Sequence, residues 1–159
     1  MVVSKGKDSD GDIKMIDVSG VKALADILAV NGSLTSLNLL RNVLDVESAG
    51  MLLKIKAEKP TLHTLCGLTH EETQLNFAHQ GLGPGDAMLL APEISVMGSL
   101  TSLILDFNSI GDEGAKEIAK GLSANGSLTE LTLWNNNLDE SAKSALRAAA
   151  RPALKLHLN

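Results

Sequence analysis

The chain has 159 residues, a formal net charge of −5, 44% apolar residues and only 2% aromatic ones. That is long and apolar enough for one domain with a packed core, and too apolar for a disordered chain. The acidic balance argues against nucleic acid, which calls for a basic stripe, and lends no support to binding an anionic membrane. With so few aromatics, Leu, Ala, Val and Ile must fill the core. A single cysteine, Cys66, rules out an internal disulfide and fits a reducing compartment. The opening run Met1 to Asp8 lacks the apolar core of a signal peptide, and no apolar run approaches the length of a membrane span. The expectation is a cytoplasmic protein.

Residues 1–12 are polar and charged, with Gly6 and Gly11, and read as a flexible tail. A partial calcium-loop pattern lies here: with Ile13 at the eighth position, Asp8, Asp10, Gly11 and Asp17 fall on the third, fifth, sixth and twelfth. The first ligand position is Gly6, Asp stands where Glu belongs, and no incoming helix fits, so a solvated tail is preferred. The remainder, 13–159, reads as one domain. Over 13–32, Val18, Val21, Leu24, Ile27 and Leu28 recur at helical spacing. Asp17 or Ser19 can serve as N-cap, and Asn31 or Gly32 can end the helix in the left-handed conformation.

In segment 33–60, Leu34, Leu37, Leu39, Asn42 and Leu44 spell L-x-x-L-x-L-x-x-N-x-L. Leu37-x-Leu39 has strand periodicity. The Asn amide is suited to hydrogen-bond the backbone of the turn that follows. A helix is predicted from Glu47 to Ala57, with Ala49, Leu52, Leu53 and Ile55 facing inward and Pro60 marking its end. Segment 61–97 reopens the phrase with Leu62 and Leu65, 28 residues after Leu34 and Leu37, and then loses register. The pattern resumes as Leu75-x-Phe77-x-x-Gln80-x-Leu82, with Gln80 in the Asn position. About ten residues are inserted, placing a loop at 67–74, and insertions in repeats go to loops, often on a binding face. A helix from Asp86 to Val96 follows, with Met88, Leu89, Leu90 and Ile94 apolar; Pro92 within it predicts a short or kinked helix.

Segments 98–125 and 126–151 carry one phrase twice. Gly98-Ser99-Leu100-Thr101-Ser102-Leu103-Ile104-Leu105-Asp106-Phe107-Asn108 returns 28 residues on as Gly126-Ser127-Leu128-Thr129-Glu130-Leu131-Thr132-Leu133-Trp134-Asn135-Asn136. A helix follows each. The first has Ala115, Ile118, Ala119 and Leu122 on its inner face, and the second Ala142, Ala145, Leu146 and Ala149. Acidic residues sit in both first turns, where the helix dipole favours them. Segment 152–159 alternates Leu154, Leu156 and Leu158 and reads as a terminal edge strand, with Lys155 and His157 discouraging further pairing.

These phrases resemble the leucine-rich repeats of the ribonuclease-inhibitor type, over roughly residues 13–158. Gly111-Asp112-Glu113-Gly114-Ala115 is similar to repeats of Ran GTPase-activating proteins and NOD-like receptors. The run Leu65-Cys66-Gly67-Leu68, followed by Gly81-Leu82-Gly83-Pro84-Gly85-Asp86-Ala87, is similar to short repeat proteins of algae and other protists. The resemblance implies an α/β solenoid of about four to five repeats, a short horseshoe arc. Parallel strands would line its concave face and helices its convex face, with a curved surface for binding proteins.

In such a fold the leucines point in and the residues between them point out. The outward rows are Ser36, Asn38, Leu40 and Arg41; Thr64, then Asn76, Ala78 and His79 beyond the insertion; Ser102, Ile104, Asp106 and Phe107; and Glu130, Thr132, Trp134 and Asn135. Of these, Asn38, Leu40, Arg41, Ile104, Asp106, Phe107, Glu130, Thr132 and Trp134 are the candidate partner-binding residues. Trp134, the sole tryptophan, occupies no buried leucine position, and Phe107, Ile104 and Leu40 are expected beside it as the apolar centre of an interface. The plainer alternative is a set of scattered exposed apolar residues, or ones covered by the terminal strand.

No catalytic constellation emerges. His63, Cys66, His70 and His79 fall in one stretch, but their spacing fits no closed zinc site. Gly81-Leu82-Gly83-Pro84-Gly85 matches neither phosphate-binding fingerprint and reads as a turn into a helix. The expected function is non-enzymatic: a protein-interaction module, without cofactor or metal, using the concave face and the inserted loop. A GTPase-activating-type regulator similar to the Ran activators and a self-associating scaffold are the alternatives.

Overall fold

Leucine alternating with polar residues is what a half-buried strand requires. In the computed structural model, which describes residues 18–159, this alternation forms four three-residue strands. They are Gln74–Asn76 (β1), Ser102–Ile104 (β2), Glu130–Thr132 (β3) and Lys155–His157 (β4). All pair in parallel, in chain order, as one sheet. Partners lie 28 residues apart from β1 to β3 (Gln74 with Ser102, Ser102 with Glu130). In the last pair, Glu130 with Lys155, the spacing is 25. The middle leucine of each strand turns inward. Leu103 and Leu131 are fully buried, and Leu75 and Leu156, at the two ends, partly so. Burying one such side chain contributes about 1.5–3 kcal/mol.

Parallel neighbours need a crossover, and helices supply it. Among the described residues the helices are Val18–Val30 (α1), Val46–Ala57 (α2), Pro84–Val96 (α3), Gly111–Ala124 (α4) and Glu140–Ala149 (α5). Each packs on the next. Asp45 and Asp139 cap α2 and α5, each accepting a backbone N–H at 2.7 Å, from Ser48 and Ala142. In α4 the four expected inner residues, Ala115, Ile118, Ala119 and Leu122, are all buried. In α5, Ala142 and Leu146 are buried, and Ala145 and Ala149 only partly. The approach of α3 to α4 depends on Gly121, where a Cβ would collide with the Ala91 carbonyl.

The asparagines stitch one turn of chain to the next. Asn108 Nδ2 donates to the carbonyls of Phe77, Leu105 and Asp106, and its Oδ1 accepts the N–H groups of Gln80 and Leu82. Asn136 Nδ2 donates to the Leu105 and Trp134 carbonyls. Asn42 Nδ2 does so locally, to Leu39 and Leu40. A second asparagine, Asn125, holds the entry to β3: Oδ1 accepts from Ser127 and Leu128, and Nδ2 donates to the carbonyls of Ile94 and Met97.

Several expectations need correction. Leu37-x-Leu39 forms no strand; two isolated bridges, Ser36 to Thr64 and Asn38 to Cys66, stand in its place. Backbone bonds still join 35–39 to 63–67, and Thr64, expected to point outward, is 1% exposed, its Oγ1 accepting the N–H groups of Cys66 and Leu68. The third helix, expected from Asp86 and short or kinked, begins at Pro84 and runs 13 residues through an exposed Pro92, so the expected shortness does not hold. Proline at its first turn is pre-organised for helix, and Asp86 Oδ2 accepts the Gly83 N–H at 2.8 Å. Neither Asn31 nor Gly32 is left-handed. Asn31 Oδ1 closes the turn instead, accepting from Ser33 and Leu34. Ile27 is 48% exposed, where α1 packs mainly against α2. Ser19 lies inside α1 and is not its N-cap. Asp17, the expected tail and the partial calcium pattern lie outside the described residues.

Candidate functional site

Beyond each strand the ladder continues for several residues. Phe77 N–H donates to the Ile104 carbonyl, Leu105 N–H to Thr132, and Phe107 N–H to Trp134, at 2.8–2.9 Å. Continued pairing keeps the outward residues of successive turns side by side. Ile104 and Thr132 are direct partners. Asp106 and Trp134 are linked where Asp106 Oδ1 accepts the Trp134 N–H at 2.8 Å. Glu130 lies 3.6 Å from His157, and Thr132 Oγ1 is buried without a hydrogen-bond partner.

One residue before each Asn-type position the backbone turns left-handed: Arg41 (φ 63°), His79 (57°), Phe107 (55°) and Asn135 (53°). Asparagine tolerates this region, and a bulky aromatic does so only at a cost of about 1–2 kcal/mol. The conformation turns the Phe107 side chain outward, 48% exposed, and its ring stacks on His79 with centroids 4.3 Å apart and planes 11° apart. Trp134 is 49% exposed. The two largest exposed rings of the described chain therefore occupy adjacent turns.

The expected apolar centre divides. Ile104, Asp106, Phe107, Glu130, Thr132 and Trp134 share β2, β3 and the turns that leave them. Asn38, Leu40 and Arg41 lie beyond the point where the ladder is broken. Leu40 packs partly against the core. Asn38 Oδ1 accepts the Leu40 N–H, and the Arg41 N–H donates to Asp86 Oδ1 at 2.7 Å. Burial pushes the Asp86 carboxyl up, against the opposing pull of the Gly83 and Arg41 groups. The aromatic partner of Phe107 is His79, from the preceding turn, and not the indole of Trp134.

The break holds a buried carboxylate that the repeat phrase does not mark. Glu93 reaches in from α3, 1% exposed. Its Oε1 accepts the N–H groups of Leu65 (2.8 Å) and Cys66 (3.2 Å), both oxygens lie within 2.9 Å of Thr64 Oγ1, and Oε2 lies 3.0 Å from His70 Nε2. The carboxylate occupies the place of a neighbouring strand, and every group around it can donate. Burial, and then Glu93, push the Cys66 thiol well up. Spacing held a signal here, since Glu93 is four residues after buried Leu89 and so lies on the inner face.

His63, Cys66, His70 and His79 do not converge, and no group of three metal-binding side chains forms among the described residues. Gly85 packs against the Leu44 carbonyl, which accounts for it as a helix contact. No described helix is long and apolar enough to cross a membrane. The chain matches no family model and no curated protein sequence.

Proposed function

We propose that the chain is a leucine-rich-repeat solenoid of the ribonuclease-inhibitor type that binds a partner protein through the outward face of β2 and β3. Four repeats (33–60, 61–97, 98–125 and 126–151) would stand between an N-terminal cap and the terminal strand. The 28-residue pairing register and the asparagine stitching support this reading. A cytoplasmic setting fits the single, buried thiol.

The observation that carries the binding role is the exposed pair Phe107 and Trp134. A folding requirement would bury both rings. Here each lies about half in solvent, and Phe107 occupies a left-handed turn position that asparagine fills with less strain in the next turn. Aromatic residues of this kind dominate protein interfaces, and such strain persists where function requires it.

The test is affinity capture from the source cell with wild type and Trp134→Ala in parallel. Trp134→Ala should melt within a few degrees of wild type and retain less than about a tenth of the captured partner. Equal capture by the two proteins removes the site assignment.

A further inference from the structure

We propose that residues 69–72, within the inserted loop 67–74, form a flap latched by the His70–Glu93 contact, whose local opening uncovers the Glu93 carboxylate and the Cys66 beside it while the rest of the fold stays intact. The segment is organised internally. Thr69 N–H donates to Glu72 Oε1 at 2.8 Å, and Glu71 N–H to Thr69 Oγ1 at 3.3 Å. Despite a burial cost that raises it, the Glu72 carboxyl is held below its ordinary value by backbone N–H groups of Thr69, Glu72 and His70. The base is fixed: Gly67 N–H donates to the Leu37 carbonyl, and Leu68 N–H to Thr64 Oγ1. The far end is fixed too, with the Thr73 carbonyl accepting from Thr101.

Between those ends, from Thr69 to Glu72, one polar contact ties the segment to the body, the 3.0 Å approach of His70 Nε2 to Glu93 Oε2. Gly67 (φ 70°) and His70 (φ 67°) are left-handed, so the chain bends sharply at the base and at the latch. An internally bonded segment held by one side chain opens as a unit, below the free energy of global unfolding. The latch is accessible, because His70 is 26% exposed while Glu93 is 1% exposed. Cys66, 2% exposed, donates its N–H to the same carboxylate, 3.2 Å from Glu93 Oε1.

Cys66 is the only cysteine of the chain, so its reaction with a water-soluble aromatic disulfide reads the flap without a label. Three proteins are compared: wild type, His70→Ala, and Ile118→Val, a conservative core change in α4 away from the flap. Losing a hydrogen bond to a charged group should raise the opening population, and the labelling rate, about tenfold in His70→Ala. Ile118→Val should label near the wild-type rate, and urea below the unfolding transition should have little effect on any of the three. Labelling of His70→Ala at the wild-type rate overturns the proposal. So does an acceleration by Ile118→Val as large as that of His70→Ala, because Cys66 would then be reached only through global unfolding.

Discussion

Asn108 uses both ends of its amide, and its five hydrogen bonds join two turns of chain. Buried backbone groups left unpaired cost about 1–3 kcal/mol each, with partial relaxation. Asn108→Ala should therefore lower stability by about 3 kcal/mol or more, read as a shift of the urea midpoint at unchanged slope. A loss below about 0.5 kcal/mol would mean that water replaces the amide. This residue was legible in the sequence because it recurs at the period. Glu93 was not, although its neighbours Leu89 and Ile94 mark the inner face. Its partners Thr64, Leu65 and Cys66 lie 27–29 residues away, and the fourth, His70, 23 away, belongs to the inserted loop, so no second copy exists to align it with. Asn125 lies between these cases. It opens the same Asn-Gly-Ser-Leu phrase as Asn31, yet its capping role shows only once its carbonyl partners from the preceding turn are in place.

At the level of elements, α4 and its inner face were readable from apolar spacing, because α4 packs between α3 and α5 and each inner residue has a place to go. Boundaries were less readable. The start of α3 moved to Pro84 through the Gly83–Asp86 cap, and in place of the strand at Leu37-x-Leu39 stand two isolated bridges, to Thr64 and Cys66. Alternation fixes which side chains point inward; it does not supply the neighbouring strand on which a ladder depends. The contact of α3 with α4 gives a sharper prediction. Gly121 faces backbone, which cannot rotate aside as a side chain can. Gly121→Ala should cost about 1–3 kcal/mol by overpacking, despite the better helix propensity of alanine. A thermal melt decides it, and an increase in melting temperature would show that the two helices separate freely.

Across the described molecule, one buried aliphatic cluster runs from Leu24 and Leu28 through Leu52, Leu90 and Leu103 to Leu146, and no ring is fully buried in it. The aromatic residues are free to serve elsewhere. Phe107 and Trp134 lie on the outward face, and Phe77, the remaining one, packs partly against the core. Residues that build the fold stand apart from residues that the fold displays, and Phe107 is where the separation is sharpest. The next turn places Asn135 at the same position with nearly the same φ, 53° against 55°. Asparagine is the better residue there for the backbone alone. The most direct measurement is therefore a paired one on Phe107→Asn, its thermal melt and its binding to the partner captured by wild type. The account predicts a melting temperature equal to or above that of wild type, with binding weakened at least about tenfold. A melting temperature several degrees lower, with binding unchanged, would contradict it: Phe107 would then be part of the scaffold and not of the displayed face.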